Sequence, residues 1–282
     1  MIKLIKFYIK FLQLLSPKLA GSQAFELFQI TNKKTIRERE MKFYDDFKTI
    51  MLQDDQEKFP VITNKLDSKQ KVVLVHGWNS NLASLQEQAK ALHNAGICFY
   101  AFNLPAHGKS RLKKTNIYAC KERFKRVVDC IDDKSHLSFI SHSFGSAVTT
   151  YGLSEMQVKA ESLVFLSVPE SVEMMFKELA EMFGLNDSAL KEVYRLGSEL
   201  AKEDIRDVRV AKKLAKVNYN KLLIIHDKYD KVIPFSNSEN ISSTAENAEL
   251  IAYEKIGHYR MLTNKDVLEN TMNFVQKLET KV

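Results

Sequence analysis

The sequence predicts an α/β protein whose sheet is mostly parallel, with helices on both faces. Three observations carry this. Short apolar runs of strand length recur along the 282 residues. Segments with helical periodicity alternate with them, and the runs are apolar throughout rather than at every second position. Strands buried on both faces have that composition, and helices between them supply the cover. At 45% hydrophobic and 27% charged residues the chain has the make-up of an ordinary globular protein, so wholesale disorder is excluded.

The chain opens with "MIKLIKFYIKFLQLLSPKLA". Lys3, Lys6 and Lys10 break what would otherwise resemble a signal peptide or membrane span, leaving no clean apolar stretch of the ~20 residues a span needs. Positions 3, 6, 10 and 13 recur every three or four residues, so this is a helix with a narrow polar stripe and wide apolar faces, ended by Pro17. Such a helix lies in a membrane interface through residues 1–16, or packs on the protein's own body or a second subunit. The polar stretch "TNKKTIREREMKFYDDFKTIMLQDDQEK" follows as a linker and second helix. Residues 1–50 are therefore set apart as an N-terminal amphipathic helix and helical linker.

The core follows in order. "KVVLVHG" (71–77) is a buried strand, and "LASLQEQAKALHNAG" (82–96) a helix stopped by Gly96. "CFYAFNL" (98–104) is a strand and "NIYACKERFKRVVDCI" (116–131) a helix. "LSFISHS" (137–143) is a strand that runs straight into a helix starting near Phe144. "SLVFLSVP" (162–169), "KLLIIHD" (221–227) and "AELIAYEK" (248–255) are further strands, and a helix from Lys265 to Leu278 closes the chain. The alternation breaks once, at residues 170–218, which carry helical periodicity and no strand. The core is thus 51–169 and 219–282, and 170–218 is a helical insertion placed above the strands' C-terminal ends, as a lid over a pocket. Met174, Met175, Phe176, Met182 and Phe183 would form its apolar underside or its own core.

Composition excludes some functions. The formal charge is +7, but the excess is spread along the chain with no zinc-finger spacing or long basic block, so no nucleic-acid partner is expected. Cys98, Cys120 and Cys130 form no paired motif; they are expected to be reduced thiols of a cytoplasmic protein, possible membrane contact through residues 1–16 aside. No metal-ligand cluster is visible.

The ends of the predicted strands carry the chemistry. They deliver "HGWNSN", "SHSFG", "HDKYDKVIP" and "EKIGHYRML" to one edge of the sheet: a backbone-rich loop, a serine, an aspartate and a histidine. Acyl transfer needs this set. A hydroxyl is a poor nucleophile until a histidine takes its proton, and a carboxylate must orient that histidine. The tetrahedral oxyanion needs fixed N–H donors. Taken singly, Ser143 is also a good helix N-cap, Asp230 could cap a turn before Pro234, and His258 could be a surface histidine.

Taken together, "VVLVHGW", "FNLPAHGKS", "FISHSFGSA", "LLIIHDKYDKVIP" and "GHYRMLTNKDVLENTMNFV" resemble the α/β-hydrolase superfamily over about residues 59 to 279, and in particular a bacterial branch of small serine hydrolases with a short N-terminal helical region. The resemblance implies the α/β-hydrolase fold with a small helical lid. It places Ser143 as nucleophile, His258 as the triad histidine and Asp230 as the acid, with Asp227 as rival. It implies oxyanion donors at the backbone N–H groups of Trp78 and Phe144. His76, His107 and His142 match loop positions with structural roles. The implied activity is hydrolysis of a carboxylic ester or thioester with an apolar part, without metal or organic cofactor. The alternatives are acyl transfer by the same triad, or a non-catalytic ligand-binding or membrane-associated protein on the same fold. One departure stands out: Ser141 occupies the first glycine position of the G-x-S-x-G turn.

Overall fold

Eight strands form one sheet in the computed structural model, which describes residues 2–32 and 36–277. They are β1 (Lys48–Gln53), β2 (Lys58–Thr63), β3 (Gln70–Val75), β4 (Cys98–Phe102), β5 (His136–His142), β6 (Lys159–Leu166), β7 (Asn218–Asp227) and β8 (Ala248–Tyr253). Their order is β1-β2-β4-β3-β5-β6-β7-β8. The β1–β2 and β2–β4 pairs are antiparallel and the others parallel. The six predicted strands are the parallel part.

Alternate side chains feed two cores. Val73, Val75, Phe139 and Phe165 enter one, while Val72, Leu74, Ile140 and Val164 enter the other. Because both faces are covered, no strand position needs to be polar, which is why the runs are apolar without alternation. The first face is covered chiefly by α5 (Ile117–Asp129) and α6 (Phe144–Leu153), the second by α3 (Glu38–Asp46), α4 (Gln86–Asn94) and α11 (Lys265–Gln276). The predicted end of the last helix at Leu278 lies outside the described residues.

The N-terminal region departs from expectation. Pro17 ends α1 (Ile2–Leu15) and also starts α2 (Pro17–Phe28), where it occupies the first turn behind the N-cap Ser16. A missing N–H is no loss there, because first-turn donors have no helical partner. Helix α2 packs on the insertion: a Cβ on Gly21 would lie 2.3 Å from the Ala189 carbonyl oxygen, so only glycine permits this approach. Helix α1 is held by Ile9 and Leu12, both buried. Burial of two such side chains is worth roughly 3–6 kcal/mol, enough to fix a helix that would be marginal alone.

The expected linker is also more structured than a linker. Beyond α3, residues 48–63 form the β1–β2 hairpin, so the expected boundary at residue 50 falls inside a strand. The physical reason is twofold. Asp54 accepts the N–H groups of Gln56 and Glu57, closing the turn. Arg123, fully buried on α5, then pairs with Asp54 at 2.7 Å and Glu57 at 2.9 Å. Burial alone would raise the Asp54 carboxyl, but the Arg123 bond leaves it below its ordinary range.

Between β6 and β7 lie α7 (Val172–Phe183), α8 (Asp187–Ala201) and the single-turn α9 (Val210–Leu214). Ser171 and Asn186 cap the first two, and Gly184 in the left-handed region ends α7. One further helix, α10 (Ser236–Thr244), follows β7 and was not foreseen, its Ser/Asn-rich sequence having little apolar periodicity.

Candidate active site

Ser143 sits between β5 and α6 at φ 52° and ψ −126°, a conformation unfavourable for any residue but glycine. The surroundings impose it. The Ser143 N–H donates to the Leu166 carbonyl at 2.8 Å, and the Ser146 N–H donates to the Ser143 carbonyl at 2.8 Å. Gly145 lets α6 pass the end of β3, since a Cβ there would lie 2.4 Å from the Val75 carbonyl oxygen and 2.6 Å from that of His76. The helix start can therefore approach the sheet only with glycine at 145. Ser143 is only 8% exposed, and it lines a solvent-open cavity of about 360 Å³.

The serine at position 141 finds its place on the other side of the turn. It is fully buried, and its Oγ lies 2.7 Å from Thr149 Oγ1 on α6. Its carbonyl accepts the Ser146 hydroxyl at 3.2 Å. The extra hydroxyl is thus satisfied within the strand–helix contact, which is what makes a non-glycine residue tolerable there.

His258 lines the same cavity, in the loop after β8. Its Nδ1–H donates to Asp230 Oδ2 at 2.7 Å, so the neutral ring carries its lone pair on Nε2. Asp230, with its side chain fully buried, also accepts the Ser167 hydroxyl at 2.9 Å, and its Oδ1 accepts the Val232 and Ile233 N–H groups at 2.7 and 3.0 Å. Burial pushes this carboxyl up, but hydrogen bonds from His226 and His258 outweigh it and hold it far below the usual carboxylate range. Asp230 is therefore an anion fixed on both oxygens.

Asp227 does something else. Its Oδ1 accepts the Tyr229 N–H at 2.7 Å, while Oδ2 accepts the N–H groups of Ile256 and Gly257, the latter at 2.8 Å. It clamps the loop that leads into His258 and makes no contact with the ring. Gly257, at φ 77°, turns the chain between clamp and histidine.

Three other histidines stabilise the surrounding loops. His76 is buried between two loops: its Nδ1–H donates to the Gly77 carbonyl at 2.8 Å and its Nε2 accepts the Leu104 N–H at 3.0 Å. His107 Nδ1 lies 2.8 Å from the Pro105 carbonyl. His142 donates from Nε2 to the His258 carbonyl at 3.1 Å, and the two rings are 4.7 Å apart. Burial first, and then repulsion from His258, push the His142 imidazole down to about 3.

Trp78 and Phe144 border the cavity. Phe144 opens α6, so its N–H is one of the first-turn donors without a helical acceptor. The Trp78 ring stacks on Phe28 of α2 at 6.1 Å and meets Phe144 edge-on at 5.1 Å. Behind these rings is a small apolar void of about 30 Å³, sharing Phe28, Trp78, Phe144 and Met175 with the first. Of the insertion's apolar residues, Met175, Met182 and Phe183 line the main cavity, while buried Phe176 lines the apolar void.

Two contributors were missed from sequence. Ser167 follows β6 at φ 52°, and His226 on β7 lies 3.4 Å from Asp230 Oδ2. Both stand at or just past strand ends, the signal that would have marked them. Among the described residues no group of His, Cys, Asp or Glu side chains is arranged to hold a metal ion.

The comparisons with known proteins agree with this architecture. A family model described as the alpha/beta hydrolase fold matches residues 71–204. An esterase from Pyrococcus furiosus superposes with a TM-score of 0.66 at 18% identity, over 89% of this chain and 97% of its own. An esterase from Exiguobacterium antarcticum gives 0.61 at 18% identity, over 82% and 100%. A Butyrivibrio proteoclasticus esterase carrying ferulic acid gives 0.61 at 19%, over 81% and 100%. No curated protein sequence matches the chain significantly. The chain therefore has the α/β-hydrolase fold, and residues 71–204 are similar in sequence to that family.

Proposed function

We propose that the chain is a serine hydrolase that cleaves carboxylic esters with an apolar part, through an acyl-enzyme on Ser143. One observation carries this reading. A buried Asp230–His258 hydrogen bond of 2.7 Å opens onto the cavity lined by Ser143 on its strained turn. The esterases among the structural neighbours support it.

With Nδ1–H committed to Asp230, His258 Nε2 is free to take the Ser143 proton as Oγ attacks the ester carbonyl. The oxyanion accepts the N–H groups of Trp78 and Phe144, each such donor being worth about 10² to 10³ in rate. Collapse breaks the ester bond, and the alkoxide leaves with the proton from imidazolium His258. Water then loses a proton to His258, attacks the acyl carbon and releases the acid. Asp230 stays ionised throughout and stabilises the imidazolium.

The walls suggest the substrate. Beside the triad the main cavity is lined by Leu27, Phe28, Met175, Leu179 and Met182, and among its described residues it holds no lysine or arginine. An uncharged ester therefore fits better than a thioester of a phosphorylated carrier. The apolar wall of this cavity, about 360 Å³ in volume, gives an acyl or alcohol chain a place to leave water. Helices α7 and α8 serve as the lid.

A fluorophosphonate probe together with a p-nitrophenyl ester series tests the proposal. Labelling and turnover are expected, both lost in Ser143→Ala, with longer chains preferred over acetate. Undiminished labelling of the variant, or no labelling of the native protein, overturns it.

A further inference from the structure

Helix α1 carries two apolar faces, and the fold uses only one. Ile9 and Leu12 enter the core, with Ile5 packed beside them. Gln13 anchors the helix: its Nε2 donates to the Gly184 carbonyl at 3.0 Å, and its Oε1 accepts the Asn186 N–H at 2.6 Å. The stems of Lys6 and Lys10 lie against Gly184. Roughly a third of a turn round the helix, Leu4, Phe7, Phe11, Leu14 and Leu15 form a continuous stripe. It faces solvent, with Leu4 74%, Phe7 73% and Leu14 85% exposed. Single exposed apolar side chains are common on any protein; a contiguous stripe of five on one helix marks a contact surface.

Charge indicates which contact. Lys3 and Lys10 are exposed along the stripe, and Lys18 is exposed at the start of α2. No acidic residue occurs in α1. A second copy of the chain would bring two lysine rows together around the paired stripes, at a cost in like-charge repulsion. An anionic bilayer meets both features at once, with phosphates for the lysines and acyl chains for the stripe. The 14-residue helix is only about 21 Å long, too short to cross a bilayer, and among the described residues no helix is long and apolar enough to do so.

We propose that α1 docks the protein in the plane of an anionic membrane surface, with Leu4, Phe7, Phe11, Leu14 and Leu15 in the acyl region and Lys3, Lys10 and Lys18 at the headgroups. Docking of this kind is independent of the catalytic reading of Ser143. Its consequence is positional: α1 rests on α7, whose Leu179 and Met182 wall the Ser143 cavity, so the cavity lies one helix away from the lipid.

Flotation with vesicles of phosphatidylcholine alone, or mixed with phosphatidylglycerol, tests this. The native protein is expected to float with the mixed vesicles, more weakly with the neutral ones, and less as salt rises. Phe7→Ala/Phe11→Ala/Leu14→Ala should weaken binding about tenfold or more, while the melting temperature and turnover of a soluble p-nitrophenyl ester stay unchanged. Lys3→Gln/Lys10→Gln should remove most of the salt dependence. Absence of native binding, or equal flotation of the triple variant, overturns the proposal. So does a concentration-dependent dimer in sedimentation velocity that the triple substitution abolishes while vesicles go unbound, since that assigns the stripe to self-association.

Discussion

Asp230 Oδ2 accepts the Nδ1–H of His258 at 2.7 Å, while Asp227, three residues earlier, accepts the N–H of Tyr229 in its own loop and those of Ile256 and Gly257 in the loop that carries the ring. The two aspartates therefore separate orientation of the histidine from attachment of its loop. Asp230→Asn should lower kcat for a p-nitrophenyl ester by about 10³ to 10⁴, because an amide does not stabilise the imidazolium or fix its tautomer. Asp227→Asn should keep kcat within about tenfold and instead lower the melting temperature, since one or more clamp bonds weaken. The reverse ranking would move the acid to Asp227.

The turn at Ser143 depends on which small residue stands where. Gly145→Ala places a carbon 2.4 Å from the Val75 carbonyl oxygen. The strand–helix contact must open, at a cost of about 1–3 kcal/mol or more, and the ester activity should fall with it. Ser141→Ala removes a hydroxyl paired with Thr149 and leaves that partner buried. Its expected cost is about 1–3 kcal/mol, with activity largely retained. Urea denaturation and ester kinetics on the two variants check the contrast.

Stability should fall with pH in a defined window. His142 is held down to about 3 in the folded state from an ordinary 6.5, and buried His76 is lowered in the same direction. Below pH 6.5 the unfolded chain takes up protons that the folded chain refuses, so each such group weakens the fold as pH drops. The slope is up to about 1.4 kcal/mol per pH unit for one group; for His142 the loss is complete near pH 3. His142→Asn should make the dependence between pH 6.5 and 4.5 shallower by up to about one proton's worth. Chemical denaturation at several pH values measures it; identical slopes for both proteins would rule His142 out.

Arg123 should be the most sensitive position outside the site. Its buried guanidinium holds Asp54 and Glu57 of the β1–β2 turn. Arg123→Ala leaves two largely buried carboxylates without their cation, at about 3–5 kcal/mol. Adding Asp54→Asn and Glu57→Gln should restore part of the loss. If the triple variant is no more stable than the single one, the charge pairing is not what holds the hairpin.

The readable part of the sequence was the part where one residue's environment is settled by its near neighbours. Strands β3 to β7 were legible because burial on both faces leaves an unbroken apolar run. The turn at Ser143 was legible because Gly145 must follow it closely, and His258 because it follows a glycine at the end of a strand. The order serine, aspartate, histidine could be read from strand ends alone, while the preference for Asp230 over Asp227 came only through the family resemblance. That choice depends on how the β7 loop folds over Ile256 and Gly257.

Where distant residues set the outcome, the sequence was silent. The β1–β2 hairpin looks like a linker because β1 is an edge strand with no buried position; its cation, Arg123, is 69 residues from Asp54 and 66 from Glu57. Ser167 could not be assigned to Asp230 until β6 and β7 were placed side by side. The periodicity of α1 fixed a helix with lysines on one stripe. Only packing against the core and Gly184 decided which apolar face is buried and which remains in solvent, because helical spacing sets the angles between faces and the partner surface alone determines the one that is covered.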